Sequence, residues 1–252
     1  MKIYEICFSP TGGTKKVSGI LSSVWEEETI FMDLLKEPDE NVAFQPEDVC
    51  LISVPSFGGR VPDIAVKRIA GLKGNGAKAV LVVVYGNRDY EDTLLELKDT
   101  ADAAGFQCVA GVTAIAEHSI MHQYAQGRPD ETDRKQLQAF ARQILEAWNE
   151  GQLKELCTVP GNVPYKEYGG VPFKPKAGRN CTRCEACVEA CPVQAIPREN
   201  PDTVDTERCI SCMHCIAVCP EHVRKINKQM VWVAAQKMKK EFQKRKENEL
   251  FL

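Results

Sequence analysis

Ile3-Tyr-Glu-Ile-Cys-Phe8 runs without a break into Ser9-Pro-Thr-Gly-Gly-Thr14, and a helical pattern with Val17, Ile20, Leu21 and Val24 on one face follows. A short apolar strand, a hydroxyl- and glycine-rich turn and a helix N-terminus together make an anion site. Backbone N–H groups point at the ligand, and the first helical turn favours negative charge. Ser9, Thr11 and Thr14 each carry a hydroxyl that can donate to a phosphate oxygen, while Gly12 and Gly13 allow close backbone approach. The loop is not G-x-G-x-x-G, and no Walker lysine follows at the required spacing. It is therefore expected to take a monophosphate rather than a dinucleotide or ATP. The competing reading is Ser/Thr capping with turn glycines and no ligand.

Outward from this loop, apolar runs alternate with helical patterns. Strands are expected at 29–32, 49–54, 79–85 and 106–117, the last broken near Gly111. Helices are expected at 63–72, 90–104 and 130–149. Ala79 to Tyr85 is continuously apolar, which suits a central parallel strand covered on both faces. The alternation predicts an α/β fold with a parallel sheet and right-handed crossovers.

The texture changes after Leu156. Residues 157–178 are rich in proline and glycine and read as a linker. Two identical frames follow: Cys181-x2-Cys184-x2-Cys187-x3-Cys191-Pro192 and Cys209-x2-Cys212-x2-Cys215-x3-Cys219-Pro220. This is the bacterial run that holds two 4Fe–4S clusters, in which the fourth cysteine of each run serves the other cube. Cluster I is expected on Cys181, Cys184, Cys187 and Cys219, and cluster II on Cys209, Cys212, Cys215 and Cys191. A disulfide framework or two zinc sites would consume as many thiols. Neither needs one pattern printed twice, each copy ending in Cys-Pro. Cys7, Cys50, Cys108 and Cys157 are scattered, as small buried hydrophobes are.

Residues 1–156 resemble a flavodoxin on the Ser9–Thr14 loop and the strand pattern, and 179–227 resemble a bacterial two-cluster ferredoxin. Together the chain resembles the flavodoxin–ferredoxin fusion proteins of anaerobic bacteria and archaea. The resemblance implies a five-stranded parallel sheet of order 2-1-3-4-5 with FMN at the switch point. It implies two further flavin loops, Pro55-Ser56-Phe57-Gly58-Gly59-Arg60 and Gly86-Asn87-Arg88 through Tyr90. Gly58 or Gly59 would meet flavin N5, Phe57 or Tyr90 would cover a ring face, and Arg60 or Arg88 would place charge near N1. His118 and Ser119, after the fifth strand, would form a fourth wall. The expected function is one-electron transfer between FMN, the two clusters and external redox proteins. The alternatives are a flavin-dependent reductase of NAD(P)H or a quinone, and a flavin-free docking module.

Residues 228–252 read as a basic C-terminal helix. From residue 221 onward nine Lys/Arg stand against four Glu, in a chain of formal net charge −3. The tail is expected to dock on the protein, and its charge suits an acidic redox partner or a homodimer contact. Bulk composition does not suggest a nucleic-acid binder. No signal peptide or membrane-spanning run is read, so a cytoplasmic, reducing location is expected.

Overall fold

In the computed structural model, which describes residues 1–25, 27–39 and 41–252, the first element is β1 (Ile3–Cys7), followed by α1 (Gly13–Ser22). Then come β2 (Thr29–Asp33), β3 (Val49–Pro55), α2 (Asp63–Ala70), β4 (Lys78–Tyr85), α3 (Thr93–Ala103), β5 (Gln107–Ile115) and α4 (Glu131–Asn149). The strands order as β2-β1-β3-β4-β5 and pair in parallel. This is the flavodoxin-like doubly wound order, with its switch point between β1 and β3.

β4 shows why the run from 79 to 85 carries no polar residue. Ala79, Leu81 and Val83 enter one core with Ala65 and Ile69 of α2 and Leu94 and Leu97 of α3. Val80, Val82 and Val84 enter the other with Val17 and Leu21 of α1 and Leu137 and Ala141 of α4. Successive side chains of a strand point to opposite faces, so a strand covered twice is apolar throughout. β5 passes unbroken through Gly111, and its irregularity is a register shift opposite Ala79 and Val80.

The sheet has six strands rather than the expected five. The tail is helical only over α7 (Lys228–Phe242), and Glu249–Phe251 forms an antiparallel edge strand, β8, on β5. An uncovered β5 would present free N–H and C=O groups, and β8 satisfies part of that edge. Between α7 and β8 the chain is pinned from below. Asn87 Nδ2 donates to the carbonyls of Phe242 and Lys244 at 2.8 and 2.9 Å, and Asn87 Oδ1 accepts from Lys246 N at 3.1 Å. Asn248, buried, donates to Asp133 Oδ1 at 3.1 Å and accepts from Ile115 N at 3.0 Å.

The cysteine segment is small: α5 (Ala186–Glu189), α6 (His214–Ala217), and a short antiparallel pair of β6 (Lys176–Ala177) with β7 (Arg224–Lys225). Its internal repeat extends to the backbone. Arg183 and Glu185 in the first run, and Ser211 and Met213 in the second, all adopt positive φ at matching offsets. Such conformations are uncommon for side-chain-bearing residues, so their repetition marks two copies of one tight wrap. Among the described residues no helix is long and apolar enough to cross a membrane.

Candidate functional site

A cavity of about 400 Å³ opens at the C-terminal ends of the strands, where an open α/β sheet places its ligands. The loop after β1 forms its floor. Gly12 enters α1 at φ +88°, a conformation that favours glycine. Ser9 Oγ accepts from Lys15 N at 2.9 Å, so Ser9 ties the loop together and does not line the cavity. Thr11, Gly13 and Thr14 do line it. Their N–H groups make no hydrogen bond to the described residues. Free N–H groups at the start of a ten-residue helix are donors suited to an anion.

The other expected loops divide. Pro55, Ser56, Phe57, Gly58, Gly86, Arg88, His118 and Ser119 line the cavity. Gly12, Gly59, Arg60, Asn87 and Tyr90 do not, and each has a structural occupation. Gly12 opens the helix. Gly59 turns the chain at φ +90°, and a Cβ there would run into the Glu91 carboxylate. Arg60 forks onto Glu96 through Nε at 2.8 Å and Nη2 at 2.6 Å, and donates to the linker carbonyl of Lys166. Tyr90 gives its hydroxyl to Glu249 of β8 at 2.9 Å and packs edge-on against Tyr85. Asn87 holds the tail, as described above.

The aromatic cover comes from elsewhere. Tyr168 and Phe173 of the linker and Phe242 of α7 line the cavity beside Phe57. Tyr168 lies so close over Gly58 that a Cβ there would collide with its ring. Phe242 is 4 % exposed, stacks on Tyr124 at 4.3 Å and meets His118 edge-on at 5.5 Å. Tyr124 also donates to the carbonyl of Ala235 at 2.6 Å. The linker and the tail thus roof a pocket whose floor and walls are loops of the sheet.

His118 has a fixed tautomer. Its Nδ1 accepts from the N–H groups of Ile120 and Met121 at 3.1 and 3.2 Å, which leaves the proton on Nε2. Burial, helped by His122, lowers its pKa to about 4, so the ring is neutral at pH 7. It is a ready hydrogen-bond donor rather than a cation.

The eight cysteines separate into two smaller cavities. Cys181, Cys184, Cys187 and Cys219 line one, and Cys191, Cys209, Cys212 and Cys215 line the other. Each cavity therefore draws three cysteines from one run and the fourth from the other. Zinc would gather four sulfurs at about 2.3 Å from one point. Among the described residues no three Cys, His, Asp or Glu side chains converge closely enough to hold a single ion. Val193, Ile196 and Ile210 line the second cavity, while Ile216 and Val218 do not.

Backbone donors serve these sulfurs. Ala195 N donates to Cys191 Sγ at 3.2 Å and Ser211 N to Cys209 Sγ at 3.4 Å. Burial raises the pKa of Cys219, but N–H groups of Arg224, Val223, Glu221 and His222 outweigh it and hold the thiol below its usual range. Burial pushes Cys212 up to about 12. Cys212 lines two cavities, its own and the 400 Å³ cavity above the sheet. His214 Nδ1 stands 2.7 Å from the carbonyl of Pro10, so the second cysteine run is bonded to the loop after β1. Cys212, Tyr168, Phe173 and Phe242 escaped sequence reasoning as pocket residues, because no local pattern shows which distant segment will roof a loop cluster.

Comparison with known proteins bears on the C-terminal part first. The 4Fe-4S dicluster domain family model matches residues 180–223. The chain is similar to the thiosulfate reductase electron transfer protein PhsB of Salmonella typhi, 44 % identical over 54 residues, covering 20 % of this chain and 28 % of that protein. It is also similar to a component of the tetrathionate reductase of Archaeoglobus fulgidus, 37 % identical over 82 residues, covering 27 % of this chain and 38 % of that protein. The chain thus spans well under half the length of either relative. Among solved structures, oxidised Flavodoxin 1 from Bacillus cereus matches with a TM-score of 0.42 and 15 % identity, covering 58 % of this chain and 98 % of that one. By its own strand order and by the family match at 180–223, the chain joins a flavodoxin-like sheet to a 4Fe–4S dicluster ferredoxin segment.

Proposed function

We propose that this chain transfers electrons one at a time between FMN, held in the large cavity, two 4Fe–4S clusters and an external redox partner. The observation that carries the reading is Cys212, one of four cysteines around the second cluster cavity and at the same time a wall of the flavin cavity. Cys181, Cys184, Cys187 and Cys219 would hold the first cluster, and Cys209, Cys212, Cys215 and Cys191 the second. A flavin exchanges one or two electrons and each cluster exchanges one, so the pair converts between the two kinds of traffic.

The chain's own residues have separate tasks. Thr11, Gly13 and Thr14 bind the phosphate through free N–H groups and hydroxyls. Phe57, Tyr168 and Phe242 shield the pocket from water. The neutral His118 donates a hydrogen bond from Nε2 without adding charge. Arg88 supplies a positive charge in the lining, tethered to Glu91 Oε1 at 2.8 Å. The thiolate-rich segment suits a reducing compartment such as the cytoplasm.

Anaerobic reconstitution tests the whole reading. About eight iron and eight sulfide per chain are expected, with one FMN released by acid. Zinc or disulfides in their place would overturn the cluster assignment, and iron without flavin would leave only the docking-module reading. A second measurement isolates the phosphate loop. The double variant Thr11→Ala/Thr14→Ala removes two bonds to a charged group, each contributing about 1.5–3 kcal/mol. FMN affinity is expected to fall on the order of a hundredfold or more, while riboflavin, which lacks the phosphate, binds as before. Equal loss for both ligands would place the phosphate elsewhere.

A further inference from the structure

Arg224 is among the largest side chains closed off from solvent, at 2 % exposure. It lies on β7, just beyond the second cysteine run. Its Nη1 donates to the carbonyl of Pro201 and to Cys187 Sγ at 3.5 Å, and its Nη2 to the carbonyls of Thr203 at 2.8 Å and Pro175 at 3.3 Å. Its Nε is buried with no partner. Among the described residues no carboxylate oxygen lies within 4.0 Å of the guanidinium. Asp202 follows Pro201 in the chain, but its own buried Oδ1 is also without a partner.

A guanidinium does not lose its proton in a protein. Burying it without a countercharge is penalised by several kcal/mol, and carbonyl dipoles offset that only in part. The position therefore calls for an anion beside it. The candidate is the first cysteine cavity, whose wall includes the guanidinium side chain. Arg224 lines the cavity of Cys181, Cys184, Cys187 and Cys219.

We propose that Arg224 is the buried countercation of the first cluster, bonded to Cys187 Sγ, and that it raises that cluster's reduction potential. The inference rests on the cluster assignment proposed above. An electron arriving from an external reductant adds one negative charge beside a fixed positive one, which favours the reduced state. No bond forms or breaks, and no proton moves, because the guanidinium stays protonated throughout.

The test uses the full chain, reconstituted anaerobically, with iron and sulfide counted before anything else. Absence of iron from the unaltered protein would overturn the cluster assignment itself, not the role of Arg224. Given clusters, a dithionite titration followed by EPR compares the unaltered protein with Arg224→Met, Arg224→Gln and Arg224→Lys. Both neutral variants are expected to disfavour reduction of the cluster that Cys187 serves at least tenfold, 59 mV for a one-electron couple. Arg224→Lys keeps the charge and is expected to shift less than tenfold. Loaded neutral variants with an unshifted potential for that cluster would overturn the proposal, as when Asp202 rather than the cluster balances the charge. Should the neutral variants fail to take up iron, Arg224→Lys decides. Loading by the lysine variant alone supports a need for charge, and its failure shows a need only for the shape of the fork.

Discussion

Cys219→Ser is expected to strip about half of the iron from the reconstituted protein and to take the first cluster rather than the second. Cys219 belongs to the second run in sequence but stands with Cys181, Cys184 and Cys187 in space. Its thiol is the one that four backbone N–H groups hold below the usual range. Serine offers a poor ligand at a position built for a thiolate. The cluster that remains is the one sharing Cys212 with the large cavity, so on the proposed function EPR should still show its magnetic coupling to a flavin radical. Cys191→Ser should give the mirror result, with the flavin-coupled signal lost. Cys157→Ser is the control, since Cys157 is exposed and lines neither cluster cavity. Loss of the flavin-coupled signal in Cys219→Ser would show that each run serves its own cluster, and crossed ligation would be abandoned.

Asp133→Ala is expected to destabilise the protein by about 3–5 kcal/mol and to loosen the tail over the large cavity. Asp133 is the third residue of α4, within a capping box with Asp130, and is completely buried. It receives Arg128 Nε at 2.8 Å on Oδ2 and Asn248 Nδ2 at 3.1 Å on Oδ1. Arg128 in turn donates to the carbonyl of Lys246 at 2.8 Å. Removing the carboxylate leaves a guanidinium that is 5 % exposed without its partner. Urea unfolding measures the loss, and faster FMN dissociation measures the loosened roof.

The same carboxylate gives a pH signature. Burial works against the charge of Asp133, but Arg128 and the Asp130 N–H outweigh it and hold the carboxyl below its usual range. Asp130 is held low by Arg245 and the Asp133 N–H. A folded-state pKa below the unfolded value of about 3.9 means the stabilisation is present above that pH and is lost as pH falls through the folded value. Stability should decline as pH drops below about 4, and Asp133→Ala should flatten that decline. An equally steep decline in the variant would assign it to other acids.

Much of the sheet was legible because its signals are local. A strand covered on both faces must be apolar at every position, and Ala79 to Tyr85 is. β8 was not legible. Three residues, Glu249 to Phe251, carry no pattern that separates a strand from the end of a helix, and the free edge of β5 decides the matter. Arg60 illustrates the same limit in the site. It follows a cavity strand as a flavin contact would, yet Glu96 and the linker lie closer to hand and claim its guanidinium.

By itself the sequence determined the chemistry: eight thiols at repeated short spacings, and a strand–loop–helix with hydroxyls and glycines at its turn. Those features are written within a few residues of one another, where backbone geometry leaves little freedom. Only the tertiary structure decided how the parts meet. It brought Cys212 to the wall of the large cavity, laid Phe242 and Tyr168 across it, and closed Arg224 in beside the first cysteine cavity, with no carboxylate paired to it among the described residues. Such placements depend on contacts between segments far apart in the chain. They are set by which apolar faces and charges find partners when the whole molecule packs, not by any residue's immediate neighbours.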